Sequence, residues 1–92
     1  MADAMTDTAQ AAKASPLSAV VEVVARALVD HPDAVKVRES IRRGMTIVEL
    51  STAPGDMGKI IGRQGRTAAA LRTLVAVAAE RQGVRAQLDI RD

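Results

Sequence analysis

The sequence predicts one α+β domain that combines helices and strands around a glycine turn. Residues 17–28 and 66–81 carry apolar side chains at the three- and four-residue spacing of amphipathic helices. Residues 34–43 and 84–91 instead alternate apolar and polar side chains, as half-buried strands do. A Gly-x-x-Gly segment at 62–65 separates the last helix from a shorter apolar helix before it. The predicted order is helix, strand, strand, helix, glycine turn, helix, strand.

Length and composition exclude several classes of protein. A chain of 92 residues has room for one modest core. It contains no cysteine and only one histidine, His31, which excludes Cys/His zinc sites, thiol catalysis and disulfides. No apolar run approaches the roughly 20 residues that span a bilayer, and the N-terminus lacks the layout of a secretory signal. We therefore expect a cytoplasmic protein without metal or cofactor.

Basic residues are concentrated in the middle of the chain, although the net charge is only +2. Phe, Tyr and Trp are all absent, which excludes the aromatic stacking platforms of RRM and many OB-fold proteins. A nucleic-acid site in this chain would have to hold bases on aliphatic side chains. The basic residues of the middle segment are Lys36, Arg38, Arg42, Arg43, Lys59, Arg63, Arg66 and Arg72, against the acidic residues Glu39, Glu49 and Asp56.

The first helix has clear start and stop signals. Residues 1–15 are rich in Ala, Asp and Thr without apolar periodicity, which predicts a disordered tail. Ser15 is the expected N-cap, and Pro16 suits the first helical position. His31 and Pro32 are expected to close the helix, because the residue before a proline avoids helical angles, and the lone histidine is interpreted as a helix-end residue. The predicted buried stripe is Leu17, Val20, Val21, Val24 and Leu28.

Two strands then form a predicted hairpin around Arg43-Gly44. The second strand, Met45 to Ser51, places apolar groups on both faces, so its register stays open. The exposed row of the first strand is basic, which is typical of either a nucleic-acid surface or an ordinary solvated face. In that strand, Val35, Val37 and Ile41 are expected on the core side, and Lys36, Arg38, Ser40 and Arg42 on the other side.

The C-terminal half contains the short helix, the glycine turn and the longest helix. Pro54-Gly55-Asp56 ends the second strand, and Asp56 is expected to cap the short helix or to favour its positive end. Gly62 stops that helix with a positive φ, and Gly83 ends the next one. The predicted buried residues are Leu71, Leu74, Val75 and Ala78 in the long helix, and Val84, Ala86, Leu88 and Ile90 in the last strand.

The glycine turn has the chemistry of a phosphate site. Arg63 and Gln64 lie between Gly62 and Gly65, on a turn without bulk that can lie flat against a phosphate backbone. Backbone amides at the start of the following helix add a partial positive charge. Two full charges flank the turn, on Lys59 and Arg66.

The segment Ile61-Gly62-Arg63-Gln64-Gly65 between two helices resembles the hallmark of the KH domain, Ile-Gly-x-x-Gly. The longer string from Ala53 to Arg66 is similar to the small bacterial single-KH RNA-binding proteins of the KhpA type. The resemblance covers residues 16–91 and implies a KH domain at 16–92 of the type II arrangement, in which three strands form one sheet and the helices pack on a single face. One residue departs from the pattern, because KH domains more often have a bulky aliphatic residue at the position of Thr67.

By this resemblance, the chain binds single-stranded RNA in the glycine turn and in an adjacent aliphatic groove. KH loops clamp about four backbone nucleotides. The resemblance further implies a post-transcriptional RNA regulator or RNA chaperone that acts as a homodimer or as a heterodimer with a second KH protein. The residues implied in RNA binding are Lys59, Ile60, Ile61, Gly62, Arg63, Gln64, Gly65 and Arg66.

Two alternatives compete with RNA binding. A KH fold can serve as a protein interaction module with little or no nucleic-acid binding, although this chain keeps both glycines and both flanking cations. A P-loop nucleotide-binding protein or enzyme is suggested only by Gly58-Lys59. Ala53 stands where the P-loop requires its first glycine, and Ile60 where it requires Ser or Thr, so we expect no enzyme. The residues alone do not separate RNA from single-stranded DNA, since only contacts to the 2′-hydroxyl would do so.

Overall fold

The computed structural model describes residues 15–91 and contains the helices and strands in the predicted order. The α+β prediction and the order α-β-β-α-α-β are confirmed. The predicted tail at 1–15 lies outside the described residues except for Ser15, and position 92 lies outside them too. The elements are α1 (Pro16–Leu28), β1 (Lys36–Arg42), β2 (Met45–Ser51), α2 (Met57–Ile61), α3 (Arg66–Gln82) and β3 (Arg85–Arg91), with 3-10 turns at Pro32–Ala34, Pro54–Asp56 and Arg63–Gly65.

The three strands form one mixed sheet with β2 in the centre. β2 pairs antiparallel with β1 and parallel with β3. A two-residue turn joins β1 to β2, and Arg43 (φ 52°) and Gly44 (φ 78°) both have the positive φ of a type I′ hairpin. This turn settles the register that the sequence left open. Val48 and Leu50 are fully buried, and Ile47 lies on the opposite face of the same strand.

All three helices pack on one face of the sheet, which confirms the predicted type II arrangement. Apolar side chains of α1, α2 and α3 meet the inward side chains of the sheet in one cluster. Removal of apolar surface from water stabilises such a cluster by about 25 cal/mol per Å². The cluster comprises Leu17, Val21, Ala25, Val29, Val35, Val48, Leu50, Ile60, Leu71, Val75, Ala79 and Leu88.

α1 begins as predicted but ends early. The Ser15 hydroxyl accepts a hydrogen bond from the Ser18 backbone N–H at 3.4 Å, which confirms the predicted N-cap. The helix ends at Leu28, because Val29 adopts extended angles (φ −95°, ψ 163°). The predicted end at His31 and the following proline is therefore wrong. Val29 takes the place in the core that was expected of Leu28, whose side chain is 38% exposed.

Three further residues that were predicted to be buried are exposed. Leu74 lies to one side of the buried stripe of α3 and is 45% exposed. Ile41 follows the predicted alternation, but it lies near the end of β1 and is 75% exposed, and Val84 precedes β3 and is 43% exposed. The buried stripe of α3 consists of Ala68, Leu71, Val75 and Ala79.

None of the helices formed by residues 15–91 is both long and apolar enough to cross a membrane.

Candidate nucleic-acid interface

The glycine turn between α2 and α3, hereafter the glycine loop, comprises residues 62–65. Gly62 ends α2 with φ 76° and ψ 170°, and its backbone N–H donates to the Gly58 carbonyl at 2.9 Å. Gln64 and Gly65 both have left-handed angles, with φ values of 58° and 73°. The positive φ predicted for Gly62 is confirmed. Three residues with positive φ turn the chain from α2 into α3 within one short segment.

The glycine loop presents positive charge to solvent. The Arg63 and Gln64 side chains are exposed between the two half-buried glycines. Arg66, the first residue of α3, is also exposed, and within residues 15–91 no side chain caps the start of this 17-residue helix. The partial positive charge of the helix start therefore adds to two guanidinium groups. Such an arrangement attracts an anion, while the backbone N–H groups of Gly62, Gly65 and Arg66 already donate to carbonyl groups of the chain.

Lys59 lies in the last turn of α2 and is directed toward the segment after α1. Its ammonium is 3.2 Å from Asp30 Oδ2, and the two side chains are 45% and 68% exposed. An exposed ion pair of this kind contributes about 0–1 kcal/mol to stability, so a phosphate group can compete with Asp30 for Lys59. Lys59 therefore lies shortly before the glycine loop in the chain, and the carboxylate of Asp30 partly compensates its charge.

The two isoleucines before the glycine loop lie in different environments. Ile60 is fully buried in the core. Its side chain has no surface to offer to RNA, and it packs in the core cluster, where it holds α2 in place. Ile61 is 36% exposed beside Gly62. Part of its apolar surface is therefore accessible next to the loop.

Asp56 and His31 form a contact that the sequence did not predict. Asp56 precedes α2, but its side chain makes no capping hydrogen bond and is buried. Its Oδ2 accepts a hydrogen bond from the His31 backbone N–H at 2.9 Å and lies 3.0 Å from His31 Nδ1. Burial alone would raise the pKa of the Asp56 carboxyl, but hydrogen bonds from the side chain and backbone of His31 outweigh burial and hold the pKa below its ordinary value.

This contact attaches the loop-bearing helix α2 to the segment after α1. The predicted capping role of Asp56 is wrong, although its charge does lie at the start of α2. His31 lies beyond the end of α1, before the turn at Pro32–Ala34, and has a carboxylate partner. The two residues are 25 positions apart, so no local pattern could have revealed the pair.

A cleft of about 470 Å³ lies elsewhere on the molecule. Its lining includes Pro16, Ile41 and Gln82 and no residue of the glycine loop. Gln82 ends α3, whose 17 residues separate it from the loop by about 25 Å. The cleft is therefore not part of the candidate interface. Across the described part of the chain, no group of three His, Cys, Asp or Glu side chains is placed to hold a metal ion.

Comparisons with known proteins find one matching family model and several similar sequences. The family model described as "KhpA/KhpB, KH domain" matches residues 18–90. The "RNA-binding protein KhpA" of Halalkalibacterium halodurans is 53% identical over 76 residues, which cover 83% of this chain and 100% of that protein. Proteins of the same name from Caldanaerobacter subterraneus (51% identical, 77% of this chain, 95% of that protein) and Aquifex aeolicus (41%, 83% and 96%) are also similar. No solved structure matches the chain.

Proposed function

Because this chain belongs to the KhpA/KhpB KH-domain family, we propose that it binds single-stranded RNA through the glycine loop. The names of its relatives favour RNA over DNA as the ligand. The RNA backbone would pass over Gly62 and Gly65, with Arg63 and Gln64 directed to the phosphates. Lys59 and Arg66 would contribute additional charge.

The observation that carries this proposal is the form of the loop itself. Two exposed polar side chains stand between half-buried glycines, immediately before a helix whose start is not capped by a side chain in the described region. Glycine at these positions lets a ligand backbone approach closely, and the exposed guanidinium of Arg63 supplies charge-assisted hydrogen bonds to phosphate. In KH domains, the Gly-x-x-Gly loop clamps about four backbone nucleotides.

Bases would lie on aliphatic side chains, since the chain has no aromatic residue. Ile61 is the partly exposed apolar residue next to the loop and is the proposed start of this groove. A single module that clamps about four nucleotides has few contacts. We therefore expect weak affinity and loose sequence preference, which binding to several sites at once would increase.

The proposed role is that of a cytoplasmic post-transcriptional regulator or RNA chaperone, without enzymatic activity. It would act as a homodimer or together with a second KH protein. The family description, which covers KhpA and KhpB together, supports a KH partner. A dimer would present two glycine loops and raise the effective affinity for RNA by multivalency.

The test is a titration of fluorescently labelled single-stranded RNA at low salt. The variant Arg63→Asp, Gln64→Asp places two negative charges against the phosphates and should lose binding, while its circular dichroism spectrum stays unchanged because both side chains are exposed. A matched control exists in the chain: Arg81→Asp, Gln82→Asp changes the same residue types at the far end of α3. The control should bind nearly as well as the parent. Equal losses in both variants would contradict a site at the loop.

The alternative function is a KH-fold protein interaction module with little or no nucleic-acid binding. Exposed apolar side chains on the helices favour it, since Val23 on α1 is 69% exposed and Val77 on α3 is 52% exposed. If the parent protein fails to bind any single-stranded RNA or DNA in the titration, this alternative replaces the first proposal.

A further inference from the structure

The face of the sheet opposite the helices, hereafter the open face, is rich in cations. Because side chains alternate along a strand, the residues of β1, β2 and β3 that do not point into the core share this face. The pairing registers align them across the three strands, so that Arg42, Met45 and Arg85 form one row, and Arg38, Glu49 and Asp89 another. The cations of the open face are Lys36, Arg38, Arg42, Arg85 and Arg91, against the anions Glu49 and Asp89.

The two anions of the open face already have partners. Glu49 Oε2 lies 3.2 Å from a guanidinium nitrogen of Arg91. Asp89 Oδ1 accepts a hydrogen bond from the Gln87 side-chain amide at 3.0 Å. Among residues 15–91, no carboxylate lies within ion-pair distance of Arg42 or Arg85. Within the described residues, the guanidinium groups of Arg42 and Arg85 are therefore exposed on the sheet without an ion-pair partner.

The chemistry of the open face suits phosphate better than protein. Adjacent strands are about 4.8 Å apart, so Arg42 and Arg85 project from backbones roughly 10 Å apart on either side of Met45. Guanidinium groups bind phosphate in a bidentate manner. A protein interface needs an apolar centre with few charges. Here the apolar residues of the central strand, Met45 and Ile47, are both half-buried and offer little apolar surface, and the cations lie on the two flanking strands.

We propose that the open face is a second RNA surface, which binds the phosphodiester backbone of one strand while the glycine loop holds another. This inference rests on the proposed function of the loop. The loop belongs to the helical layer, whereas the open face lies on the other side of the sheet. A short strand cannot reach both surfaces, so one chain bridges two strands and brings them together for annealing.

The test uses two oligouridines of about six nucleotides, one with a donor and one with an acceptor fluorophore, because such strands do not pair with each other and are too short to wrap around the protein. Energy transfer on addition of protein reports two strands on one particle. Three variants are compared: the loop variant Arg63→Asp, Gln64→Asp, the open-face variant Arg42→Gln, Arg85→Gln, and a control, Arg26→Gln, Arg81→Gln. The control removes the same charge from exposed residues of the helical layer.

The measurement is made at a protein concentration at which sedimentation shows a monomer, so that two copies of one site cannot hold both strands. We expect the parent and the control to show energy transfer, and each of the other two variants to bind one strand without transfer. Transfer that persists in the monomeric open-face variant would overturn this inference and leave the loop proposal standing, because the second strand would then bind somewhere other than the open face. Transfer that persists in the loop variant would overturn the loop proposal instead. A parent protein that binds neither oligonucleotide would overturn both.

Discussion

Gly62 lies directly against Thr67. A β-carbon added to Gly62 would lie 2.7 Å from Thr67 Cβ and 2.9 Å from the Thr67 backbone nitrogen, distances that real β-carbons do not adopt. The Gly62 backbone, with φ 76° and ψ 170°, is also in a region that essentially only glycine occupies. Thr67, the residue that departs from the usual KH pattern, therefore packs against the loop at its first glycine. Gly62 is required for the fold of the loop as well as for any approach of a ligand.

Substitution of the two loop glycines by alanine should have unequal effects. No atom lies within 4 Å of the position of an added Gly65 β-carbon, and left-handed angles cost a non-glycine residue about 1–2 kcal/mol. Gly62→Ala adds a steric clash to a less favourable backbone region, so we expect it to reduce the free energy of unfolding by about 3 kcal/mol, against about 1 kcal/mol for Gly65→Ala. Urea denaturation measures both values. Equal losses would show that Thr67 does not constrain the loop.

The Asp56–His31 contact should make the free energy of unfolding depend on pH in the acidic range. Because the pKa of Asp56 is lower in the folded state than its ordinary value of 3.8, the ionised carboxylate stabilises the fold above that value, and this contribution is lost as the pH falls through the lowered folded pKa. We expect the urea concentration at the unfolding midpoint of the parent to decrease at pH values below about 4. The midpoint of Asp56→Asn should be lower than that of the parent at pH 7 and should decrease less as the pH is lowered.

Asp33→Asn is the control for this experiment, since Asp33 is an exposed acidic residue in the same segment. Its pH dependence should follow that of the parent. An Asp56→Asn variant as stable as the parent at pH 7 would contradict the role given to the contact with His31.

Substitution of Lys59 and substitution of Asp30 should change the affinity for RNA in opposite directions. Lys59→Gln should weaken RNA binding and lower the salt slope by about 0.7, because one phosphate contact is lost. Asp30→Asn should strengthen RNA binding, because it releases the Lys59 ammonium from its partner 3.2 Å away. Both variants should unfold within about 1 kcal/mol of the parent, as expected for an exposed pair. If Asp30→Asn leaves affinity unchanged, Lys59 does not contact the ligand.

Leu71 and Leu74 test the orientation of α3. Leu71 is almost completely buried, whereas Leu74 is 45% exposed. We expect Leu71→Ala to reduce the free energy of unfolding by about 2–5 kcal/mol, the range for a buried leucine, and Leu74→Ala to reduce it by less than about 1 kcal/mol. Thermal or urea unfolding compares the two directly. A large loss for Leu74→Ala in a monomeric sample would mean that the helix is rotated from the described orientation.

Local sequence signals predicted most of the fold. The N-cap at Ser15, the turn at Arg43-Gly44 and the left-handed end of α3 at Gly83 all occur where the sequence indicated them. The family resemblance added the type II arrangement, which the structure confirms. The contact of the glycine loop with RNA stays a prediction, since the geometry shows only that its polar side chains are exposed.

The sequence by itself determined the order of the helices and strands and which turns need glycine, because backbone sterics, capping and side-chain periodicity act within a few residues. Only the tertiary structure decided which apolar residues are buried, since Leu74 and Ile41 fit the expected patterns but lie where no neighbouring element covers them. It also decided the partners of Asp56 and Lys59. These contacts depend on how the segment after α1 packs against α2. Because the two segments are far apart in the chain, a local sequence pattern cannot predict which of their residues come together.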